Sequence, residues 1–278
     1  MKKSKQWSLD NSRPDLVVFT GDNFFSYILC AAICRSQNVT DIIVSRGTTH
    51  SYSKILSIFR KTSIQYFLYR VSIQLLSKLT LITDLATLHN IKLSTVRKKS
   101  DFDSFKAMNH YMGVTCNFDL IIPDSYIQSR RGGVLNVHAS DLPSDRGISP
   151  VVWAFCRGDK EIYISYYLMD GGIDTGEIVR KDVVTIDQSW SLFRTYCEVI
   201  LYAAKRLDSL LGDFIYNSRL ISNESSHEQQ NESYNSWPST ALHSIMKKNR
   251  KKYFKLSDIR YAYNLLRGFR GAGKLSKS

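Results

Sequence analysis

The sequence predicts an α/β protein in which a mainly parallel β-sheet is flanked by helices. Residues 16–19 form a short apolar run that ends in the polar turn 20–23, and apolar residues at helical spacing follow. A strand, a tight turn and a helix in this order are typical of the start of a parallel α/β sheet. The turn lacks the Gly-x-Gly-x-x-Gly pattern, so the sequence does not indicate a dinucleotide site.

Short apolar runs between polar stretches continue this alternation along the chain. We predict further strands at 41–45, 91–96, 119–123 and 162–168, a short helix at 151–156 and a long helix at 189–211. Ser189 is the predicted N-cap of the long helix, because a Ser hydroxyl can accept a hydrogen bond from the free N–H groups of the first turn.

Composition divides the chain into three predicted parts. Residues 1–215 hold the predicted strands and helices, residues 216–236 are polar and typical of a linker, and residues 237–278 form a small basic appendage. The net charge is +13, and residues 247–277 carry eleven Lys or Arg against the single acid Asp258. Such a tail could bind a nucleic acid, an anionic lipid or a phosphorylated ligand, or could be a solvated face.

The five cysteines are odd in number and show neither a Cys-x-x-Cys pair nor His residues at zinc spacing. We therefore expect a reducing compartment and no metal. The basic N-terminus is followed by polar residues rather than by an apolar core, so no signal peptide is evident and a cytoplasmic location is expected.

Residues 53–82, between the second and third predicted strands, are predicted to form a helical insertion. Their apolar residues recur near helical spacing, and the interspersed charges of Arg60, Lys61, Arg70 and Lys78 argue against a transmembrane helix. We expect this helix to pack on the protein itself or on a second subunit, because Phe59, Phe67, Leu68 and Leu75 are a large apolar surface to leave in water. A basic amphipathic helix on a membrane surface is the alternative.

The stretch 132–150 carries the clearest chemical signal. Asn136 and His138 are two residues apart on a short extended run, so their side chains project to the same side. An amide and an imidazole can both donate hydrogen bonds to a carbonyl oxygen, which together describe an oxyanion site for acyl transfer. In the stretch 167–178 an apolar strand breaks at two glycines and then presents Asp174, a carboxylate that would complete the site.

These two stretches carry the motifs of a known family. Asn-x-His-x-Ser-x-Leu-Pro, then Arg-Gly, then Pro and Trp-Ala, and finally Met-Asp-x-Gly-Ile-Asp-Thr-Gly resemble the formyltetrahydrofolate-dependent formyltransferases over residues 118–179. The resemblance implies a Rossmann-like formyltransferase fold and a catalytic triad of Asn136, His138 and Asp174. It also implies N10-formyltetrahydrofolate as co-substrate, with its pteridine near Ser125, Tyr126, Asp170, Gly171, Gly172 and Ile173.

The family's chemistry would move a formyl group to a primary amine. Asn136 would hydrogen-bond the formyl oxygen, His138 would stabilise the developing oxyanion, and Asp174 would orient His138 or relay a proton. Two departures fall in the loop between them. Asp141 stands where Leu is usual and Asp145 where an aromatic residue is usual, so the loop edge that faces the acceptor could differ.

The length of the C-terminal tail indicates which class of acceptor to expect. The tail is too short for the β-barrel of the transfer-RNA-specific members, and its aromatic-Pro-Ser entry is similar to bacterial nucleotide-sugar N-formyltransferases. We therefore expect a nucleotide-linked amino sugar as acceptor and a role in lipopolysaccharide biosynthesis. Initiator methionyl-tRNA, glycinamide ribonucleotide, water and a catalytically silent binding module are the alternatives. Nucleic acid is not the expected partner, a homodimer is left open, and a membrane surface is an alternative that we do not favour.

Overall fold

The structure is a computed structural model that describes residues 14–46, 63–217, 233–235 and 240–272. Parts of the predicted insertion, of the linker and of the aromatic-Pro-Ser entry lie outside these residues. The strands are β1 (Leu16–Gly21), β2 (Val39–Ser45), β3 (Lys92–Val96), β4 (Met112–Cys116), β5 (Val134–His138), β6 (Asp145–Gly147), β7 (Glu161–Leu168), β8 (Glu177–Thr185) and β9 (Ser233–Asn235).

Within the described residues, one seven-stranded sheet has the order β3-β2-β1-β4-β5-β7-β8. The five strands from β3 to β5 run parallel, while β7 and β8 add an antiparallel edge. The short strands β6 and β9 form a separate parallel pair. The predicted α/β fold with a mainly parallel sheet is confirmed.

Helices connect and cover these strands. They are α1 (Phe24–Ser36), α2 (Ile64–Ser77), α3 (Ile82–His89), α4 (Asp124–Ile127), α5 (Pro150–Arg157), α6 (Leu192–Asn217), α7 (Thr240–Lys248) and α8 (Leu256–Ala272), with a 3-10 helix at Lys99–Phe105. The long helix begins at Leu192, because the Ser191 hydroxyl accepts from the Arg194 N–H at 3.1 Å. The prediction of Ser189 as N-cap is wrong, since its N–H donates to Asp187 in the preceding turn.

Both faces of the sheet are buried, which explains the continuous apolar run in β1. Leu16 and Val18 point into a larger core that includes α1 and α6, whereas Val17 and Phe19 point into a smaller core. The smaller core is aromatic, with the Phe19 ring 5.9 Å from Phe102 and 5.4 Å from Tyr126 between centroids.

The predicted fourth strand at 119–123 is wrong, because these residues form an irregular connection that ends at Pro123, the N-cap of α4. The fourth strand is β4, seven residues earlier in the chain. It contains Gly113, where a Cβ would lie 3.1 Å from Val134 and 3.2 Å from Phe19. The close approach of Val134 and Phe19 therefore requires glycine at position 113. Glycine interrupts the apolar run by which the strand could have been predicted.

The insertion is helical where the structure describes it. Helix α2 begins after Ser63, whose hydroxyl accepts from the Tyr66 N–H, and it packs on the larger core through Tyr66 and Tyr69. Leu68 and Leu75 lie on the opposite side and are exposed. The expectation that these two leucines pack on this chain is therefore wrong.

The C-terminal helices share the main core. Leu242 and Met246 of α7, Tyr253 after it and Ala262 of α8 all belong to the larger core. The division at residues 215 and 237 stays a prediction.

Candidate active site

Strand β5 places two of the predicted residues at one end of the sheet. Asn136 and His138 are separated by one residue, so both side chains lie on the same side of the strand. They line a cavity of about 790 Å³, and Asp174, from the loop between β7 and β8, lines it too. The structure thus brings the three predicted residues together at the carboxyl edge of the parallel strands.

A tyrosine hydroxyl connects Asn136 to Asp174. The Asn136 Nδ2 donates to Tyr167 Oη at 2.6 Å, and the Tyr167 hydroxyl donates to Asp174 Oδ1 at 2.8 Å. Tyr167 faces Asn136 across the antiparallel pair of β5 and β7. Burial, with the Asp174 charge as a second cause, raises the pKa of Tyr167, so the hydroxyl stays protonated and able to donate.

His138 stands close to Asp174 without a hydrogen bond between them. The distance from His138 Nε2 to Asp174 Oδ2 is 3.7 Å, and this Nε2 makes no hydrogen bond within the described part of the chain. Burial lowers the pKa of His138, while Asp174 and Asp145 act in the opposite direction. The imidazole is therefore neutral near pH 7 and keeps one nitrogen for a ligand.

Asp174 is held by the backbone as well as by Tyr167. Its Oδ2 accepts from the Gly147 N–H at 3.2 Å, and its own φ of 54° lies in the left-handed region. The neighbouring Asp170 has a different task. Its Oδ1 accepts from Thr175 Oγ1 at 2.7 Å and from the Gly172 N–H at 2.9 Å, which lowers the pKa of Asp170 and fixes the turn that presents Asp174.

The loop between Asn136–His138 and α5 is fixed from the far C-terminal side. The Ile148 N–H donates to Asn235 O at 2.8 Å, and Asn235 Nδ2 donates to Asp145 Oδ1 at 2.5 Å. Gly147 has a φ of 103°, and a Cβ there would clash with the Asn235 carbonyl. Strand β9 therefore sets the path of the backbone that donates to Asp174.

The two departures from the family pattern both have partners. Asp141 forms an ion pair with Lys181 of β8 at 2.8 Å. Asp145 accepts from Asn235 and lies 3.4 Å from Arg157. Each carboxylate therefore ties the loop to a neighbouring element.

The residues predicted to contact the pteridine divide into two groups. Gly172 and Ile173 line the cavity beside Asp174, and Asp170 and Gly171 form the turn just before them. Ser125 and Tyr126 do not line it, and the Tyr126 ring is fully buried in the smaller core. Arg70 of α2 and Arg97 after β3 also line the cavity, and neither was predicted from the sequence as a site residue. Among the described residues, no group of three His, Cys, Asp or Glu could hold a metal ion.

These features define a class of protein: an α/β fold with an amide, an imidazole and a carboxylate around one cavity at the carboxyl edge of its parallel strands. Residues 72–199 match the sequence model of the family described as formyl transferase. Over these residues the chain is similar to formyl transferases, which confirms the resemblance found in the motifs. The match begins inside the predicted insertion, so it includes residues 72–82.

Two curated relatives have the same sequence identity to this chain. Methionyl-tRNA formyltransferase of Finegoldia magna is 29% identical over 125 residues, which are 44% of this chain and 40% of the relative. GDP-perosamine N-formyltransferase of Brucella melitensis is 29% identical over 126 residues, which are 45% of this chain and 49% of the relative. The chain thus spans less than half the length of these relatives.

A solved structure shows the same fold. The N-formyltransferase from Helicobacter canadensis, in complex with folinic acid and dTDP-3-aminofucose, matches with a TM-score of 0.52 and 17% identity over 80% of this chain and 70% of that chain. The predicted formyltransferase fold is confirmed.

Proposed function

We propose that the protein transfers a formyl group from N10-formyltetrahydrofolate to the primary amine of a nucleotide-linked amino sugar. The observation that carries this proposal is the convergence of Asn136, His138 and Asp174 on one cavity. In the reaction, a bond forms between the amine nitrogen and the formyl carbon, the bond from that carbon to N10 breaks, and a proton passes from the amine to N10.

Asn136 and His138 would stabilise the charge that develops on the formyl oxygen. One N–H of the Asn136 amide is donated to Tyr167, which fixes the orientation of the amide and leaves its second N–H for a ligand. A neutral His138 can donate its own N–H to the same oxygen. Donors that are held in place before the reaction stabilise an oxyanion without reorganisation.

Asp174 would receive the proton that the attacking amine must lose. Its carboxylate is already held by Tyr167 and by the Gly147 N–H, so it keeps its position while a proton moves through it or through a water molecule. The site needs no metal for these steps. The pteridine would lie against the turn 170–173, where Gly172 and Ile173 reach the cavity.

Two arginines in the cavity favour an acceptor that carries negative charge. Arg70 and Arg97 line the cavity, and guanidinium groups bind phosphate oxygens with two N–H groups at once. The structural neighbour from Helicobacter canadensis holds a nucleotide-linked amino sugar, which supports the same acceptor class here. The location in the cytoplasm and the role in lipopolysaccharide biosynthesis stay predictions.

Formylation of initiator methionyl-tRNA is the second candidate, because the methionyl-tRNA formyltransferase relative is as similar to this chain as the GDP-perosamine enzyme is. The two candidates share the chemistry and differ in the acceptor. Only an acceptor assay separates them.

The experiment measures loss of formyltetrahydrofolate with a panel of nucleotide-linked amino sugars and, in parallel, with initiator methionyl-tRNA. We expect turnover with an amino sugar, none with the transfer RNA, and loss of turnover in His138→Ala. The matched control is His89→Ala, which removes a histidine on α3 outside the cavity. Turnover with the transfer RNA alone would show that the acceptor is the transfer RNA and not an amino sugar. Folate binding without turnover on any acceptor would favour the catalytically silent binding module.

A further inference from the structure

Helix α2 carries an apolar stripe that the fold leaves in water. Ile64, Leu68, Leu75 and Leu79 are 53%, 55%, 58% and 58% exposed. Their spacing of four and seven residues places them on one side of the helix and of the turn that continues it. We call these four residues the α2 stripe.

The stripe cannot turn inward, because the opposite side of α2 is anchored. Tyr66 and Tyr69 are buried, and their rings lie 5.5 Å and 5.8 Å from the Tyr253 ring. At the end of the helix, Ser77 Oγ accepts from the Phe24 N–H at 3.0 Å. Rotating α2 to cover its leucines would expose two buried tyrosines, so the stripe is a fixed part of the surface.

The charge near the stripe in the sequence has one sign. Residues 42–83 contain six Lys or Arg and no Asp or Glu. Lys78, on the turn after α2, is exposed and precedes Leu79 of the stripe, whereas Arg70 lies on the cavity side of the helix. An exposed apolar stripe in a basic segment that contains no acid is typical of a helix that lies on an anionic membrane surface.

A second copy of the chain fits this surface less well. A two-fold contact would place the same patch on both sides, so cations would face cations without an acid to pair with them. Anionic lipid headgroups supply the missing charge.

The geometry also favours lying on the membrane over crossing it. The segment Ile64–His89 is long and apolar enough to span a bilayer by length and composition alone. However, it is divided into α2 and α3, and α3 buries Ile82, Leu85 and Ala86 in the core of the protein. Within this segment, the outer side of α2 is therefore the larger apolar surface left free for lipid.

We infer that the α2 stripe docks the protein on an anionic lipid surface. The inner side of the same helix contributes Phe67, Arg70 and Gln74 to the cavity. Docking therefore brings the cavity to the edge of the membrane. This inference does not depend on the acceptor that the proposed function names.

The test is flotation of the protein with vesicles of phosphatidylcholine alone or mixed with phosphatidylglycerol, at low and moderate salt. We expect binding only to the mixed vesicles, weaker at moderate salt because attraction between exposed charges is screened. Changing Leu68 and Leu75 together to Ser should reduce the bound fraction about tenfold, since two inserted leucine side chains are lost.

The matched control is Leu256→Ser with Ile259→Ser, which removes two exposed apolar residues from α8, 86% and 57% exposed. It should bind vesicles like the unchanged protein. The inference is overturned if the unchanged protein binds neither vesicle, or if both double variants lose binding equally. It is also overturned if sedimentation shows a dimer that the Leu68 and Leu75 changes dissociate, with vesicle binding unaltered. Thermal unfolding should be unchanged in both double variants, and formyl transfer to a soluble acceptor should be unaffected.

Discussion

Two pairs of histidine and aspartate in the described part of the chain differ in the distance between their side chains and in their access to the cavity. His110 Nε2 lies 2.7 Å from Asp41 Oδ2, and both residues are buried where β2 and β4 begin, at the amino edge of the sheet. His138 Nε2 lies 3.7 Å from Asp174 Oδ2 at the carboxyl edge, facing the cavity. In the first pair the imidazole Nε2 is used by the carboxylate, and the remaining Asp41 Oδ1 and His110 Nδ1 are buried away from the cavity. In the second pair the Nε2 makes no hydrogen bond within the described residues, and it faces the cavity, where a ligand can reach it.

The comparison shows what separates a pair buried in the fold from a pair that can bind a ligand. A short contact between a histidine and a carboxylate is not by itself a sign of catalysis, since the tighter of the two pairs lines no part of the cavity. The looser pair has its carboxylate fixed by other donors, Tyr167 and Gly147, so that the imidazole is left for a substrate. Each of the following changes should affect one pair and leave the other intact.

His110→Ala should have the largest effect on stability. It leaves the buried Asp41 carboxylate without its partner, which costs about 3 kcal/mol or more of unfolding free energy. Urea unfolding followed by circular dichroism measures this, with His138→Ala as the matched control. Turnover per folded molecule should be retained, and equal stability of the two variants would contradict the structural role of His110.

His138→Ala should have the largest effect on the reaction. We expect formyl transfer to fall about 10²-fold or more, the scale of an oxyanion donor or a general acid or base. The fold should survive, as judged by an unchanged unfolding midpoint. A well-folded His138→Ala protein with near-normal turnover would show that the proposed chemistry is wrong.

Tyr167→Phe should lower turnover about tenfold, because it removes one hydroxyl that orients both Asn136 and Asp174. We expect kcat to fall while KM changes little, since Tyr167 acts through the other two residues. The control is Tyr166→Phe, the next residue on the same strand, whose hydroxyl points to Ala203 O in the larger core. Equal kcat values in the two variants would exclude a positioning role.

Asn235→Ala should lower kcat about fivefold, because a hydrogen bond worth about 1 kcal/mol no longer fixes Asp145 and the loop that carries Gly147. Asn249→Ala is the matched control. Its amide makes a comparable hydrogen bond, to Cys156 O at the end of α5, outside the loop. If both variants lose activity alike, the effect is a general one on stability.

The pH profile gives the smallest but most specific effect. Burial lowers the pKa of His138 from its ordinary value of 6.5, so the neutral form predominates at pH 7 and above. Activity carried by neutral His138 should be flat above pH 7 and fall on the acid side with a midpoint below 6.5. Activity that instead falls as the pH rises through this range would show that the protonated imidazole is the active form.

Much of the fold follows from local patterns. The apolar runs of β1 and β2 are unbroken, because both faces of these strands are buried, and they were predicted close to their true positions. Strand β4 was missed because Gly113 and Thr115 interrupt its apolar run, while residues 119–123 were mistaken for it. Ile121 in that stretch is exposed, which an apolar run cannot reveal.

The site was predictable only in part. The motif spacing indicated Asn136, His138 and Asp174, and the structure places them around one cavity. Tyr167 was missed because a tyrosine in an apolar strand predicts a core residue, and its position opposite Asn136 depends on the antiparallel pairing of β5 with β7. Asn235 lies ninety residues from its partner Asp145, and no local pattern can indicate such a contact.

The pairing of β6 with β9 also sets the point during synthesis at which the candidate site can be completed. The loop after His138 leaves the ribosome long before Asn235 is made. Until then, Ile148 and Asp145 lack the partner that sets the path of Gly147, whose N–H holds Asp174. Strands and helices can fold in sequence as they emerge, yet the backbone that holds the Asp174 carboxylate is fixed only after residue 235 has paired with the loop. A growing chain can therefore bury much of its core before its candidate site is complete.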